Sequence, residues 1–397
     1  MRVAMVAYAF YEGNARIQQY ATALAKRGDA VDVIALRREG EARHRIANGV
    51  NVYGIQTRII NEKSRLTYLY RVMQFLAYSA LVLSRKHLSQ PYHLVHVHSV
   101  PDFLVFAALL PKLMGSSVIL DIHDILPEFY VSKFGTGRRS LLFHLLLLVE
   151  KCSAAFADHV IIANHVWYER LTARSVSPEK CTVICNCPNP EFFRVRQQGR
   201  THSKFIITYP GTLNWHQGLD IALKAFAKVV KEIPEAEFRI FGEGPSKPEL
   251  IKLTNRLGLN GRVIFNDMVP TERIAQEVAN SDLGVVPKRA SSIFGNEAAS
   301  SKILEFMAAG VPVVVSRTKV DTYYHSDLTV KFFESENESD LAKSILELKR
   351  NAQLRSRLVA NAAKYAQENN WEVKDIQYLS LMDSLTSMKR KKSRSSI

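Results

Sequence analysis

The stretch of sequence that decides the fold is FGNEAASSKILEFMAAGVP, residues 294–312. It begins with loop-forming residues, continues into a run of good helix formers, and stops at Gly310 and Pro312, which are typical of a helix end. A strand-like run of valines, residues 313–315, follows directly. A helix between a polar loop and a buried strand is the repeating unit of a parallel α/β sheet, so this stretch predicts that class of fold.

The same alternation of strands and helices continues in both directions. The first half begins with a strand at residues 3–8, a helix at 15–27 and a strand at 31–36, which together form a βαβ unit. Further strands are predicted at residues 94–98, 118–122, 160–163, 205–209, 238–241, 263–265 and 283–286. We therefore expect an α/β protein with two Rossmann-like, doubly wound domains.

Changes in composition mark the domain boundaries. Residues 1–190 are predicted to form the N-terminal domain, and the polar, basic run EFFRVRQQGRTHSK at 191–204 a linker. Residues 205–374 form the second domain. A C-terminal helix at 375–388 is placed so that it could pack back on the first domain, and the basic residues 389–397 are expected to be a disordered tail.

Composition and charge narrow the possible partners. The chain has 397 residues, 47% hydrophobic composition and a formal net charge of +15, which favours phosphate-bearing small molecules, nucleic acid or anionic lipid. Basic and aromatic residues are not interleaved, which argues against nucleic acid. The N-terminus lacks the pattern of a secretory signal, so we expect a cytoplasmic protein, and its four cysteines are expected to be buried thiols.

Two glutamates in the opening stretch are candidates for binding. If a helix starts near residue 298, its first free amides favour an anion such as a diphosphate. Glu297 then lies just before the helix and Glu305 lies two turns into it, about 12 Å further along at ~1.5 Å per residue. One carboxylate could accept hydrogen bonds from sugar hydroxyls and the other from ribose hydroxyls. A capped helix with solvated glutamates is the alternative.

This stretch resembles the glutamate, seven residues, glutamate motif of the retaining glycosyltransferases of GT-B fold (glycosyltransferase family 4), typified by sucrose synthase and bacterial mannosyltransferases. The resemblance covers nearly the whole chain and implies two Rossmann-like domains facing across a cleft. It implies that Glu297 contacts the donor sugar and Glu305 the ribose. In the strand end DIHDILPE, residues 121–128, it implies that His123 touches the sugar and that Asp124 or Glu128 lies on the acceptor side.

The resemblance extends to loops rich in glycine. YPGTLNWHQGLD (209–220) and FGEGP (241–245) follow the first two strands of the second domain, where glycine lets the backbone approach a ligand. The implied donor-binding residues are Gly211, Thr212, Gly242, Gly244, Lys288, Arg289, Gly295, Asn296, Ser301, Lys302 and Glu305. The implied acceptor-binding residues are Gly13, Asn14, Arg16 and Glu128, and the implied catalytic residues are His123, Glu297 and Asp124.

The first of these loops departs from the family pattern. The family usually has an arginine and a lysine there to neutralise the diphosphate, whereas this chain has Leu213 or Asn214 and Gln217. Lys288, Arg289 and Lys302 are the candidates to replace them. His96 and His98 lie two apart on a strand, but no third metal ligand is identifiable nearby, and neither a metal nor a cofactor is expected.

Taken together, these features predict a retaining, metal-independent glycosyltransferase. The substrates would be a nucleotide sugar and a saccharide acceptor, lipid-linked if the enzyme serves envelope or exopolysaccharide synthesis. Apolar runs at residues 66–83 and 141–149, flanked by arginines, predict peripheral attachment to the anionic inner face of the cell membrane rather than a spanning helix. The alternatives are a nucleotide-sugar epimerase or phosphorylase of the same fold, or a non-catalytic basic membrane adaptor.

Overall fold

The structure, a computed structural model, describes residues 1–58, 65–134, 139–195 and 203–394. The chain divides into two compact units. The first combines Met1–Cys185 with Lys374–Ile397, and the second is Asn186–Val373. Each unit contains a sheet of parallel strands with helices between them, which confirms the predicted α/β class.

The first unit is built on an eight-stranded sheet with the strand order β3-β4-β2-β1-β5-β6-β7-β8. Neighbouring strands are parallel except for β3 and β4, which are antiparallel. The strands are β1 (Arg2–Phe10), β2 (Ala30–Arg37), β3 (His44–Ala47), β4 (Val50–Thr57), β5 (Leu94–His98), β6 (Ser117–Ile122), β7 (His159–Ile162) and β8 (Cys181–Val183). Its helices are α1 (Ala15–Lys26), α2 (Arg65–Ser89), α3 (Leu109–Leu113), α4 (Leu126–Phe134), α5 (Leu141–Phe156) and α6 (His165–Thr172), with 3₁₀ turns at Tyr11–Gly13, Asp102–Ala108 and Pro178–Lys180.

The second unit has a six-stranded parallel sheet with the strand order β11-β10-β9-β12-β13-β14. The strands are β9 (Phe205–Pro210), β10 (Ala236–Phe241), β11 (Val263–Asn266), β12 (Leu283–Val286), β13 (Val313–Ser316) and β14 (Lys331–Phe333). The helices are α7 (Leu219–Glu232), α8 (Lys247–Arg256), α9 (Thr271–Ala279), α10 (Ile293–Glu297), α11 (Ser301–Ala308), α12 (Lys319–Tyr324), α13 (Glu338–Arg350) and α14 (Ala352–Glu368), with a 3₁₀ turn at Trp215–Gln217.

The strand order places a crevice in each sheet. In the second unit the chain runs outward from β9 to β10 and β11, then returns to the other side of β9 with β12. In the first unit the same reversal separates β1 from β5. Ligands of open α/β sheets bind beyond the carboxyl ends of the strands at such a reversal. The residues that follow β9, β10 and β12, and those at the ends of β1, β5 and β6, are therefore the ones expected to form a site.

The end of the chain forms a long helix, α15 (Trp371–Arg394), most of which belongs to the first unit. The Tyr378 hydroxyl lies 3.0 Å from His96 Nδ1, and the Tyr378 ring packs 4.2 Å from that of Tyr20. Arg27 forms a 2.9 Å ion pair with Asp383. The helix is thus attached to the first unit by a buried aromatic contact and a surface charge pair.

The basic residues 389–394 form the end of α15; residues 395–397 lie outside the described residues, and the disorder of the tail stays a prediction. Three other expectations from the sequence are wrong in detail. Residues 191–195 are grouped with the second unit, where Phe193 is buried, so the predicted linker does not begin at 191. Residues 196–202 also lie outside the described residues. Cys152 is exposed rather than buried. The helix that was predicted to start near residue 298 begins at Ser301, after the separate short helix α10.

Candidate functional site

Two glycine loops form a layer of bare backbone at the carboxyl edge of the second sheet. The amide of Gly211 donates to the Phe241 carbonyl at 2.8 Å, and the amide of Leu213 donates to the Glu243 carbonyl at 2.9 Å. A Cβ atom on Gly242 would overlap the Gly211 carbonyl oxygen. The packing therefore requires glycine there, and it presents main-chain groups rather than side chains.

Lys302 lies against this layer. It is the second residue of α11, and a Cβ atom on Gly211 would lie 2.8 Å from Lys302 Nζ and would overlap Cε. Burial lowers the pKa of Lys302, although the nearby Glu305 opposes that effect. Within the described part of the chain, no carboxylate oxygen lies within 4.0 Å of Lys302 Nζ. Its positive charge thus lies beside the backbone of Gly211 with no close carboxylate among the described residues, which suits an anionic ligand.

Lys288, by contrast, is buried and has close partners inside the protein. Only 2% of its surface is exposed, and its Nζ lies 2.8 Å from the Asp321 carboxylate and 2.7 Å from the Ala298 carbonyl oxygen. Asp321 also accepts a 2.6 Å hydrogen bond from the Thr318 hydroxyl. Lys288 therefore joins the loop after β12 to α12 and to the end of α10.

Arg289 is likewise paired with carboxylates inside the protein. Its guanidinium donates at 2.6 Å to both carboxylate oxygens of Asp220 and at 2.9 Å to Glu336, and it stacks over the Trp215 ring. Of the three cations that the sequence suggested for a diphosphate, Lys302 is thus the one without a close carboxylate among the described residues.

The two glutamates of the motif lie on separate helices. Glu297 is the last residue of α10 and is buried, whereas Glu305 lies in the second turn of α11. Residues 298–300 are not helical, because Ala298 is extended and its carbonyl accepts from Lys288 instead of continuing the helix. The expected rise of one continuous helix between the glutamates is therefore wrong. Burial raises the pKa of Glu305, against the effects of Lys302 and of a hydrogen bond from Ser301.

Two more predicted residues near the glutamates have structural partners. The Asn296 side chain accepts from the amide of Lys319 at 2.7 Å and so holds the start of α12. A Cβ atom on Gly295 would overlap the Arg289 carbonyl oxygen. Thr212 is exposed, and its carbonyl oxygen accepts from the Tyr209 hydroxyl at 3.0 Å. The residues just before Glu297 are thus fixed by contacts with the loop at Arg289 and with the start of α12.

In the first unit, a charged cluster lies at the ends of β5 and β6. Asp121 is completely buried and binds Arg16 through Nε at 2.9 Å and Nη2 at 2.7 Å. His98 Nδ1 lies 3.0 Å from its Oδ2 atom, and His123 Nε2 lies 2.9 Å from the same atom. The structure therefore brings together His123 and Arg16, two residues that the sequence assigned to different substrates.

The same cluster has some features of a metal site. His96, His98 and Asp121 offer ligand atoms within 4.8 Å of one another. Burial lowers the pKa of His96 and lowers that of His98 to about 4, so both rings are neutral at pH 7. Arg16, however, already neutralises Asp121 through both carboxylate oxygens, and its charge would repel a cation. The donor set does not fit a resident metal ion.

The other residues of the first unit that the sequence assigned to a site differ in how tightly they are held. Glu128 is buried and accepts from Arg174 at 2.6 and 2.9 Å, so an acceptor hydroxyl there would have to compete with a guanidinium. Burial raises the pKa of Asp124 to about 6. Asn14 caps α1 by accepting from the Ile17 amide at 3.1 Å, and a Cβ atom on Gly13 would meet no atom within 4 Å. The loop of Gly13 is thus open, and Asn14 is held by its own helix.

Sequence reasoning missed three of the residues that build these sites. Asp121 belongs to the strand end that carries His123, but the sequence suggested no role for it. Asp321 and Tyr378 gave no local signal, because each acts through a partner far away in the sequence. In a sequence, a charged residue near a strand end can be identified as part of a site only when its partner residue is also known.

Both halves of the chain are similar to known glycosyltransferases. Residues 192–365 match the family model for glycosyl transferases group 1, and residues 13–187 match a glycosyl transferase 4-like domain. The chain is 25% identical over 269 residues to the human phosphatidylinositol N-acetylglucosaminyltransferase protein, covering 66% of this chain and 52% of the relative. It is 23% identical to sulfoquinovosyl transferase SQD2 of Arabidopsis thaliana, covering 76% and 56%. The chain thus spans about half the length of these curated relatives.

Solved structures share the fold. Sucrose-phosphate synthase from Thermosynechococcus elongatus has a TM-score of 0.78 at 18% identity, covering 98% of this chain and all of that one. Anabaena HepE in complex with UDP and glucose has a TM-score of 0.72 at 16% identity, covering 97% and 100%. These neighbours confirm the predicted GT-B fold.

Replacing Lys288 by methionine tests whether it is a structural residue. Asp321 would be left buried without its cation, so we expect the free energy of unfolding to fall by about 3–5 kcal/mol in urea denaturation. Lys331→Met is the matched control, because its 2.8 Å pair with Glu347 is partly exposed and should contribute about 0–1 kcal/mol. Unchanged stability of Lys288→Met together with lost ligand binding would show instead that Lys288 serves a ligand.

Proposed function

The chain belongs to the glycosyltransferases that join a 4-like domain to a group 1 domain, and on that premise we propose that it is a retaining enzyme. It moves a sugar from a nucleoside diphosphate sugar to a saccharide acceptor. The observation that carries the proposal is Lys302, a cation against the glycine-rich edge of the second unit with no close carboxylate among the described residues. A diphosphate is the anion that suits it best.

The donor binds to the second unit in this proposal. The diphosphate lies between the backbone at Gly211 and the start of α11, where Lys302 and the free amides of the first turn neutralise its charge. Glu297 accepts from hydroxyls of the sugar and Glu305 from those of the ribose. Lys288 and Arg289, both paired with carboxylates, hold this edge in shape instead of binding the phosphates.

For the chemistry, the acceptor oxygen attacks the anomeric carbon from the face that the diphosphate leaves. The bond from the anomeric carbon to the diphosphate oxygen breaks, a new glycosidic bond forms, and the departing oxygen takes the proton of the acceptor hydroxyl. Retention follows because both events use one face of the sugar. Fixed amides and Lys302 stabilise the charge that develops on the diphosphate, so the proposed step is metal-independent.

The first unit contributes the acceptor side. His123 touches the transferred sugar, Asp124 lies near the acceptor hydroxyl, and the open loop at Gly13 leaves room for a saccharide. The acceptor is lipid-linked in this proposal, since the same unit has an apolar, partly basic surface suited to a membrane.

That surface is formed by α2, α3 and α5. One stripe of α2 packs on the core through Val72, Phe75 and Leu83, while Tyr70 and Leu81 on other faces are exposed. Residues Leu66–Ser89 are long and apolar enough to cross a membrane by length and composition alone, and 22% of the apolar window is buried inside the protein. We propose that these helices lie on the anionic inner face of the cell membrane.

Lys302→Met tests the donor site directly. Removing a charge-assisted contact should weaken nucleoside diphosphate binding by about tenfold to a hundredfold, while binding of the parent nucleoside stays unchanged. Isothermal titration with both ligands measures the difference. Lys247→Met is the control, because Lys247 follows the other glycine loop but is already paired with Glu243 and Asp267. Equal losses for nucleoside and diphosphate would argue against a phosphate contact.

Glu297→Ala tests the sugar contact. We expect sugar transfer to be abolished while the protein stays folded and still binds the nucleoside diphosphate, because the sugar loses its proposed hydrogen-bond acceptor. Glu305→Ala should mainly weaken nucleotide binding. Product formation from a panel of nucleotide sugars measures both, and full activity of Glu297→Ala would refute the assignment.

The membrane proposal can be tested on α5. Leu145 and Leu148 are 54% and 56% exposed on one face. Replacing both by aspartate should reduce sedimentation with vesicles of anionic phospholipid by at least about tenfold, since each change removes apolar contact and adds repulsion. Met268→Asp, at a 75% exposed position of the second unit, is the control. Undiminished vesicle binding, or a wild-type protein that stays soluble with vesicles at low salt, would contradict it.

A further inference from the structure

Four side-chain nitrogen atoms lie within hydrogen-bond distance of the Asp121 carboxylate, which has no access to water. Arg16 donates twice, and His98 and His123 each place one ring nitrogen within 3.0 Å of Oδ2. Arg16 is fixed in turn by a 2.8 Å hydrogen bond to the Ile184 carbonyl oxygen. The carboxylate is therefore held by β5, by the turn after β6 and by the first turn of α1.

This environment keeps Asp121 charged. Burial by itself would raise its pKa, but the positive charge of Arg16 and the contact with His123 outweigh that effect and hold the pKa well below its usual range. An ionised carboxylate accepts hydrogen bonds and cannot donate them. His123 Nε2, 2.9 Å from the ionised oxygen, must therefore carry a proton, while His98 Nδ1 lies 3.0 Å from the same oxygen and 3.4 Å from His123 Nε2.

For His123 this requirement has a direct consequence. Its Nε2 atom is the nitrogen that faces Asp121, and its side chain is 17% exposed, so the ring lies at the boundary between the cluster and solvent. A neutral imidazole has one N–H and one bare nitrogen. In a neutral ring with the proton on Nε2, the bare nitrogen is Nδ1, which is a hydrogen-bond acceptor, whereas in the imidazolium both nitrogens are donors.

We propose that Asp121 is a positioning residue that fixes His123 in the tautomer protonated on Nε2 and so presents Nδ1 as an acceptor to a hydroxyl of the donor sugar. The inference rests on the proposed function, since it assumes that His123 meets the sugar. It goes further by stating which atom makes the contact and which residue controls that atom. Arg16 keeps Asp121 ionised, which gives it a role inside the cluster instead of on the acceptor.

The tautomer can be measured on the wild-type protein without any variant of Asp121. Two-bond ¹⁵N–¹H correlation spectra of protein labelled at histidine show which ring nitrogen carries the proton, and the His123 signals are assigned by their loss in His123→Asn. We expect Nε2 to be protonated and Nδ1 to be bare at about pH 7.5. Protonation on Nδ1 at this pH, whether alone or together with Nε2, would overturn the proposal, whatever the enzyme's activity.

Two substitutions of His123 test the contact with the sugar. The amide of asparagine reaches roughly the position of Nδ1, and that of glutamine reaches the position of Nε2. If Nδ1 accepts from the sugar, His123→Asn should retain transfer within about tenfold, whereas His123→Gln should lose about a hundredfold, since that is the scale of a hydrogen bond lost in the transition state. The opposite order would overturn the assignment of Nδ1.

Asp121→Asn tests the link between the two residues. The variant should lower kcat with little change in the KM for the donor, and the histidine spectrum should show a mixture of tautomers. Because Asp121 acts through His123, combining Asp121→Asn with His123→Gln should be no slower than the slower single variant, whereas independent effects would multiply. Multiplying effects would contradict the proposal.

The failure of this inference can be told apart from failure of the proposed function. If no nucleotide sugar is consumed by the wild-type protein, the proposed function fails, and the wild-type spectrum still reports the tautomer. If sugar is transferred but His123 carries its proton on Nδ1, only the positioning role of Asp121 fails.

Discussion

The second unit depends on how closely main chain packs against main chain at the carboxyl edge of its sheet. At Gly242 and Gly244 a Cβ atom would overlap the backbone of the neighbouring loop, and at Gly211 it would overlap the side chain of Lys302. Such packing removes side chains from the place where parallel strands end, so that a ligand can come close to the backbone. The long side chain laid across this surface is cationic, and the proposed donor chemistry follows from that combination.

Buried charge is handled in the same way in both units. Lys288 is neutralised by Asp321 and donates to the Ala298 carbonyl, at the non-helical segment between the two glutamates. Arg16 is neutralised by Asp121 and donates to the Ile184 carbonyl. An unpaired ion in either place would cost several kcal/mol, so each pair is locally required. Each pair also sets the geometry of a neighbouring residue that is a candidate for contacting substrate. Lys302 differs because it lacks a close carboxylate among the described residues, which is the condition expected of a group reserved for a ligand.

Much of the fold could be predicted from the sequence, and there are physical reasons why the other features could not. The strands at Leu94–His98 and Leu283–Val286 were predicted to the residue, because short runs rich in leucine and valine mark strands buried on both faces. Strands β8 and β14 have three residues each, too few for a periodic pattern, and β3 and β4 alternate with polar residues. The non-helical segment at residues 298–300 was missed because the Ala298 carbonyl is bound by Lys288, which lies on another loop.

A crystal structure of the protein with a nucleoside diphosphate bound is the most direct measurement of the central claim, that the glycine-rich edge of the second sheet with Lys302 is a diphosphate site. We expect phosphate oxygens within hydrogen-bond distance of Lys302 Nζ and of the first free amides of α11, with the ribose hydroxyls at Glu305 and with Lys288 still paired with Asp321. A nucleotide bound away from this edge, or phosphates held by Lys288 or Arg289 after their carboxylate pairs have opened, would contradict the account.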